Sequence, residues 1–250
     1  MRILLSNDDG VDAIGLKTLY EVLSKAHQVT VIAPDRNCSG ASNSLTLVNP
    51  LRVKQLDNGF YSVNGTPTDC VHIGINQLMH EKPDIVISGI NHGPNLGDDV
   101  IYSGTVAAAT EGRYMGLPAI AASLADYDSQ DFFYAATIIA SILEQIESHP
   151  IPNDQILNIN IPALPKNEIQ GIAATRCGRR HQAETMVKSK DQHGREIYWY
   201  GPVGEIKDAS AGTDFYAITQ GYVSVTPISV DMTAKESINL LDSWFTEMKI

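Results

Sequence analysis

Two adjacent carboxylates, Asp8 and Asp9, follow the apolar run Ile3-Leu4-Leu5 within Ser6-Asn7-Asp8-Asp9-Gly10. Burying such a pair without a positive partner is costly. A hard divalent cation suits carboxylate oxygens with amide and hydroxyl neighbours. The same residue types are also common turn formers, so on this stretch alone a metal site and a solvated turn weigh equally. Two more polar, glycine-containing stretches follow strand-like runs: Asn37-Cys38-Ser39-Gly40, and Ser88 to Asn95 with Asn91 inside it. Pooled, the three stretches offer carboxylates, a hydroxyl and carboxamides, a palette for Mg²⁺, Mn²⁺ or Ca²⁺ rather than zinc. Few protein ligands would leave positions open for water and a substrate phosphate. Ser103-Gly104-Thr105 opens an alanine-rich stretch and supplies the complementary part. A helix start offers free N–H groups and the positive dipole end, both suited to phosphate. Taken singly, Ser103 and Thr105 are more often plain caps, and Ser39, Asn91 and Asn95 are ordinary loop residues. His92 has the chemistry to protonate a leaving group, but a lone histidine there is more often a bystander. Asp98-Asp99 reads as solvated charge.

These residues need elements to deliver them. Ile3 to Leu5 reads as a buried strand that ends in a polar turn. Asp12 suits the N-cap of a helix carrying Leu16, Leu19, Tyr20 and Leu23 at helical spacing. Val29 to Ala33 is a second strand, which makes a βαβ unit with a parallel, right-handed crossover. No Gly-x-Gly-x-x-Gly follows the first strand, which counts against a dinucleotide-binding site. Leu45 to Leu56 and Phe60 to Val63 read as extended around the Asp57-Asn58-Gly59 turn. Thr66-Pro67 starts a helix with Val71, Ile75 and Leu78 inward. Ile85 to Ile87 is a buried strand that empties into the polar loop Ser88 to Asp99. A helix from Ser103, a strand at Ala119 to Ala122, a helix through Ala135, Ile138, Ile139 and Ile142, and a strand at Ile156 to Ile161 complete this part. In an open parallel sheet, ligands collect outside the carboxyl ends of the strands, so the three loops can converge. The expected fold is α/β, a Rossmann-like, mostly parallel sheet flanked by helices.

From about residue 165 the character changes. A protruding hairpin turns at Asp191-Gln192-His193-Gly194 and continues through Ile197 to Tyr200, and Tyr222 to Thr226 reads as a strand returning to the body. Leu241, Trp244, Phe245 and Met248 form an apolar stripe on a terminal helix, a pattern more often used for core packing than for a partner. With the hairpin it would equally serve self-association. The expected division is residues 1–165 as the α/β core carrying the metal and phosphate site, and residues 166–250 as a hairpin and oligomerisation extension.

Bulk properties bound the function. The 250 residues are 43% hydrophobic and 19% charged, ample for one large domain. A net charge of −11 argues against a nucleic-acid duplex as partner. It leaves room for a phosphorylated small molecule, because a local cation reverses the sign of one pocket. Cys38, Cys70 and Cys177 are odd in number and widely spaced, which fits a reducing cytoplasm rather than a disulfide framework. No stretch is apolar enough to span a bilayer, and no signal-peptide pattern opens the chain.

Longer motifs carry a resemblance. Ser-Asn-Asp-Asp-Gly near the start, Ala-Pro-Asp-Arg-x-x-Ser-Gly at 33–40 and Gly-Thr-Pro-x-Asp-Cys-Val at 65–71 are similar to motifs of the SurE survival-protein family. So are Ser-Gly-Ile-Asn-x-Gly-x-Asn-Leu-Gly at 88–97, Tyr-Ser-Gly-Thr-Val-x-Ala-Ala at 102–109, and looser matches beyond. Gln192-His193 departs from the Pro-Arg usual in the family's hairpin. The resemblance implies a divalent-metal-dependent phosphatase of nucleoside 5′- and 3′-monophosphates, extending in some members to short polyphosphate. It implies one Mg²⁺ or Mn²⁺ per subunit on Asp8, Asp9, Ser39 and Asn91, with phosphate on Asn95, Ser103, Gly104 and Thr105. It also implies a homodimer or homotetramer joined through the C-terminal extension. Within that reading Asp8, Asp9 and Asn95 are catalytic. The cation would polarise a phosphoryl oxygen and activate water, while Asp8 or Asp9 would take the water's proton.

Two other readings stand beside it. A metal-dependent deacetylase also uses an Asp-Asp pair after its first strand, but it wants a preceding histidine where Asn7 stands. A non-catalytic nucleotide-sensing module would bind phosphate on the same loops. An aspartyl-phosphate route ranks lower, because the Asp-x-Asp of haloacid dehalogenase phosphatases is missing. One geometric requirement follows from the pair itself. Neighbours on an extended strand point to opposite faces, so Asp8 and Asp9 can share an ion only if the chain has already turned.

Overall fold

The short apolar runs of the sequence become the centre of one sheet. The computed structural model describes residues 1–152, 154–180, 186–201, 203–246 and 248. Strand β1 (Arg2–Ser6) is followed by helix α1 (Ile14–Leu23) and β2 (Gln28–Pro34), then by β3 (Val53–Gln55) and β4 (Tyr61–Val63). Next come α2 (Pro67–Ile73), which runs into a wider turn at Gly74–Leu78, and β5 (Ile85–His92). A 3₁₀ turn at Gly97–Ile101 leads into α3 (Gly104–Tyr114), followed by β6 (Ala119–Leu124), α4 (Phe132–Ser148) and β7 (Gln155–Ile161). The rest comprises β8 (Gly171–Ala174), β9 (Arg179–Arg180), β10 (Val187–Lys190), β11 (Glu196–Trp199), β12 (Ile206–Asp208), α5 (Asp214–Thr219), β13 (Tyr222–Ser229) and α6 (Ile238–Thr246).

Nine strands form the main sheet in the order β3-β4-β2-β1-β5-β6-β7-β13-β8. The strands from β4 through β2, β1, β5 and β6 to β7 are parallel to their neighbours. Strand β13 runs antiparallel to β7 and parallel to β8, so the C-terminal part of the chain extends the same sheet. Alternation along each strand sends side chains to two helical layers. Ile3, Leu5, Ile85 and Ile87 pack with Leu16, Leu19 and Leu23 of α1 and Ala135, Ile139 and Leu143 of α4. Leu4 and Val86 face the other way, onto Cys70 and Val71 of α2 and Val106, Ala108 and Ala109 of α3. Each fully buried Leu or Ile contributes about 1.5–3 kcal/mol relative to exposure. The two central strands are therefore held rigidly under the loops they deliver.

Local chemistry explains most boundaries and several departures. Helix α2 begins as expected: the Thr66 hydroxyl accepts from the Asp69 N–H at 3.2 Å, and Asp69 Oδ2 accepts from the Thr66 N–H at 2.9 Å. Helix α1 does not use Asp12 as its cap. Ala13 holds that position without a side-chain bond, while Asp12 pairs with Lys17 at 2.8 Å. The extended reading from Leu45 shrinks to Val53–Gln55, because the preceding residues lie outside the sheet, with Leu47 and Val48 85% and 93% exposed. The loop expected from Ser88 begins later, since β5 continues to His92. Ser88 pairs with Ser6, and Asn91 with Ser123 after a register shift that lets the strand bend. The hairpin around Asp191 forms as β10 against β11. The terminal stripe does not pack into a core: α6 buries no side chain, and Trp244 and Phe245 are 56% and 59% exposed.

Candidate active site

From β1 the chain steps to β2 on one side, and it later returns through α2 to β5 on the other. This is a topological switch point, where the ends of neighbouring strands open a crevice. Strand β1 ends at Ser6. Asn7 then closes a turn on Gly10, donating to its carbonyl at 3.0 Å and accepting from its N–H at 3.3 Å. Gly10 sits at φ +104°, and a Cβ there would lie 3.2 Å from the Arg36 carbonyl. Asp8 and Asp9 therefore stand on a bent loop, as sharing an ion requires. The Asp8 carbonyl accepts from the Cys38 N–H at 2.7 Å, which draws the Ser39 loop alongside.

Asp8 is 4% exposed. Its Oδ1 accepts from the Thr105 hydroxyl at 2.5 Å. Gly104 makes that approach possible, because a Cβ there would lie 2.7 Å from Asp8 Cβ and 2.9 Å from its Oδ2. Ser103 caps α3, its hydroxyl accepting from the Val106 N–H at 3.1 Å. The helix start thus points its positive end at a buried carboxylate. Thr105 is turned to Asp8 through its hydroxyl, leaving Ser103 as the residue of the three that lines the cavity. Asp9 is less buried, and its Oδ2 accepts from the His92 N–H at 3.1 Å.

Burial dominates the titration of both acids. It pushes Asp8 up to about 6, reinforced by the neighbouring Asp9 charge and opposed by the Thr105 bonds. Asp9 is also raised by burial, opposed by the His92 N–H. Among the described residues the ion pairs include neither carboxylate. A buried acid beside a half-buried one, bonded to a hydroxyl and to N–H groups, forms a fitting seat for a cation.

A cavity of about 200 Å³ opens over Asp8, and Asp8, Ser39, Asn91, Asn95 and Ser103 line it together. Asn91 donates Nδ2 to the Gly93 carbonyl at 2.8 Å, which leaves its Oδ1 as the oxygen available for a ligand. Asp9 lines a neighbouring cavity of about 180 Å³, with His92 in the wall common to both. No group of three or more His, Cys, Asp or Glu side chains suited to a metal occurs among the described residues. With Asp8 and Asp9 as the carboxylate donors, neutral oxygens of Ser39 and Asn91 would complete the set. That donor set matches a hard cation that keeps several waters. Asn7 is occupied on both sides of its carboxamide by Gly10, so it does not take the place of a deacetylase's histidine ligand.

Several residues that hold the site escaped the sequence reading. Asn95 donates Nδ2 to Ser123 Oγ at 2.8 Å, its N–H binds Asn160 Oδ1 at 2.8 Å, and its carbonyl accepts from Asn158 and Asn160 at 2.8 and 3.0 Å. Asn158 and Asn160 alternate with apolar residues in the buried strand β7. Polar side chains in such a strand need partners, and that pattern was the available signal. Asp214 is fully buried and accepts from the N–H groups of Gly97, Gly178 and Phe215 at 2.7, 2.8 and 2.9 Å. It ties the loop carrying Asn95 to the C-terminal part of the chain. Asp98 and Asp99 are not simply solvated. Asp98 accepts from the Arg180 N–H at 3.1 Å, and Asp99 Oδ2 lies 3.2 Å from Arg180 Nε.

Residues 3–184 match the protein family described as Survival protein SurE. A protein of Pseudoalteromonas atlantica named 5′-nucleotidase SurE is 62% identical over 248 residues, spanning 99% of this chain and 100% of the relative. One of the same name from Idiomarina loihiensis is 56% identical over 249 residues, spanning 100% of both. Among solved structures, the crystal structure of the Sure protein from Aquifex aeolicus superposes with a TM-score of 0.87 at 43% identity. It covers 98% of this chain and 100% of that one.

Proposed function

The chain belongs to the SurE family, and from that premise we propose a residue-level account of its activity. It is a divalent-metal-dependent nucleotide phosphatase, a phosphoric monoester hydrolase. The observation that carries the residue-level account is buried Asp8 next to half-buried Asp9, with no cationic side chain paired to either among the described residues, and with Asp8 in a cavity bordered by Ser39, Asn91, Asn95 and the start of α3.

Asp8, Asp9, Ser39 and Asn91 hold the cation, one per subunit, Mg²⁺ or Mn²⁺. When bound it supplies Lewis acidity toward the phosphoryl group and toward water. Asn95, locked by Ser123, Asn158 and Asn160, offers its side chain to a phosphoryl oxygen without needing to reorganise. Ser103 and the Gly104 N–H receive another oxygen at the helix start, and Thr105 acts from behind by fixing Asp8. Asp8 or Asp9 takes the proton of the attacking water. Nucleoside 5′- and 3′-monophosphates are the substrates, with short polyphosphate as a further one. Residues 1–165 carry this chemistry. Residues 166–250 join subunits into a dimer or tetramer, a role supported by the exposed Trp199, Tyr200, Trp244 and Phe245. The reducing cytoplasm, with neither a nucleic-acid duplex nor a membrane as partner, fits three free cysteines and a net charge of −11. No helix among the described residues is long and apolar enough to cross a membrane.

Phosphate release from AMP and GMP, measured with Mg²⁺ or Mn²⁺ and with EDTA, tests the reading. Release that depends on metal and is lost in Asp8→Asn is expected. A folded protein that frees no phosphate from any mononucleotide would refute it.

A further inference from the structure

A second cavity lies at the other end of the sheet, beside Arg2 rather than Asp8. At about 3.3 Å per residue of strand, the step from Arg2 to Asp8 sets it about 20 Å from the phosphate site. Its volume of about 500 Å³ falls within the roughly 300–1,000 Å³ of pockets that enclose a small ligand. The floor is an unfinished edge of β2. Strand β1 pairs with β2 from Gln28 to Val31, but β4 joins the far edge only from Ile32 onward. Backbone groups alternate between the two edges of a strand. The Gln28 N–H donates to the Met1 carbonyl at 3.0 Å, so Gln28 and Thr30 bond toward β1. Val29 and Val31 therefore turn their N–H groups, and Val29 its carbonyl, to the open edge in the cavity wall. Among the described residues no loop or turn backbone bonds to these three groups, and such groups call for a partner.

The two faces of the sheet supply the walls. Tyr20 and Phe60 stand on the α1 side, edge to face with ring centres 4.8 Å apart. Leu78 and Met79 stand on the opposite side, packed against the core under α2 and α3. All four line the cavity. A flat group continuing the plane of the sheet would bond to the Val29–Val31 edge and be covered on both faces. The Val29 carbonyl and the Val31 N–H together match a donor beside an acceptor on one rim of a ring. Nucleobases carry such a pair on their pairing edge, as in the amino group and neighbouring ring nitrogen of adenine. Charge argues against a phosphate on that ligand. Arg2 binds Glu81 at 2.7 Å and Asp84 at 3.0 Å, so its charge is already matched. Among the described residues no other arginine or lysine lines the cavity, and a phosphate held there would lack a cationic partner.

We propose that this cavity is a second binding site, separate from the active site, for a neutral nucleobase or nucleoside. The ring edge bonds to the backbone of Val29 and Val31, and the ring faces lie between Tyr20–Phe60 and Leu78–Met79. Gln55 and Asn58 in the wall supply carboxamides for sugar hydroxyls. Binding here needs neither metal nor hydrolysis.

Adenosine is the probe, because it carries the ring edge but no phosphate. With Mn²⁺ present, hydrogen–deuterium exchange of the full chain should slow in peptides covering 28–31 and 57–61 when adenosine is added. N6,N6-dimethyladenosine, which cannot donate to the Val29 carbonyl, should bind at least about fivefold more weakly. AMP, added in EDTA to prevent its hydrolysis, should leave those peptides unprotected at the same concentration, and equal protection would overturn the choice of a neutral ligand. Thr30→Trp, which fills the cavity from its floor, should abolish the protection while AMP turnover in Mn²⁺ persists. Protection confined to the active-site loops at 7–10 and 91–103, or none at millimolar adenosine, would overturn the proposal. So would unchanged adenosine binding in a folded Thr30→Trp protein. If that variant does not fold, the dimethyl comparison on wild type decides: equal affinity for the two nucleosides overturns the site.

Discussion

Gly104→Ala adds one methyl group at the most crowded point of the site. The new Cβ would lie 2.7 Å from Asp8 Cβ, 2.9 Å from Oδ2 and 3.1 Å from Cγ. Asp8 has little room to yield, because its Oδ1 is bound to Thr105 and its carbonyl to Cys38. Two effects oppose each other. Alanine favours a helix over glycine by about 1 kcal/mol, whereas overpacking a buried contact costs about 1–3 kcal/mol. The first value applies to a helix interior and Gly104 opens the helix, so the cost wins. Net destabilisation of about 1–2 kcal/mol should lower Tm by a few degrees. The functional effect should be larger than the stability effect, since Asp8 can relieve the contact only by turning its carboxylate away from the cavity. Mn²⁺ affinity by titration calorimetry should weaken at least about tenfold, equivalent to about 1.4 kcal/mol. Phosphate release at fixed metal should fall in parallel and recover partly at high Mn²⁺. A folded Gly104→Ala protein with wild-type Mn²⁺ affinity and wild-type turnover would refute the placement of α3 against Asp8.

Four further outcomes complete the set. Because burial raises Asp8 to about 6 from an ordinary 3.8, its contribution to the stability of the metal-free protein is fully present below the unfolded value and is lost as pH rises through the folded one. The loss is on the order of 3 kcal/mol, and metal-free Asp8→Asn should flatten it in denaturant titrations between those pH values. Metal binding runs the other way, with Mn²⁺ affinity rising as pH climbs past about 6. Asp214→Asn presents an amide N–H where Gly97 or Gly178 now donates, leaving a buried donor unpaired at a cost of about 1–3 kcal/mol. It should lower Tm and also reduce kcat by loosening the loop that carries Asn95, whereas a loss of Tm alone would confine Asp214 to a structural role. Finally, Trp199→Glu together with Trp244→Glu should shift the protein toward monomer in sedimentation velocity, and unchanged mass would place the subunit contact elsewhere.

Much of the sheet was legible because its central strands obey one rule. Ile3-Leu4-Leu5 and Ile85-Val86-Ile87 are buried on both faces, so they appear as continuous apolar runs bounded by polar turns. Thr66-Pro67 and Ser103-Gly104 were legible for a different reason, since caps are written in neighbouring residues. Where side-chain type and backbone pairing disagree, the sequence misleads. Ser88 and Asn91 look like loop residues, yet Ser6 and Ser123 on flanking strands pair with their backbone. Asp12 looks like a cap, but a cap depends on where the chain turns, and the Asn7–Gly10 turn sets that one residue later.

The site divides along the same line. The residues able to touch phosphate or a cation were visible, because chemistry restricts them to a few types. Those that hold them in place were not, because Ser123, Asn158, Asn160 and Asp214 act across 28 to 117 residues of sequence. Asp214 is the sharpest instance. In sequence it is one more helix-start aspartate, after the capping Thr213, whose hydroxyl accepts from Tyr216 at 3.1 Å. In the fold its two oxygens take three backbone N–H groups from Gly97, Gly178 and its own helix. A carboxylate so supplied tolerates full burial without a cationic partner. Asp8 and Asp9 have fewer donors than their desolvation requires, and burial raises the pKa of both. The contrast between these buried acids, one satisfied by backbone and two not, physically separates a structural carboxylate from a pair suited to bind a cation.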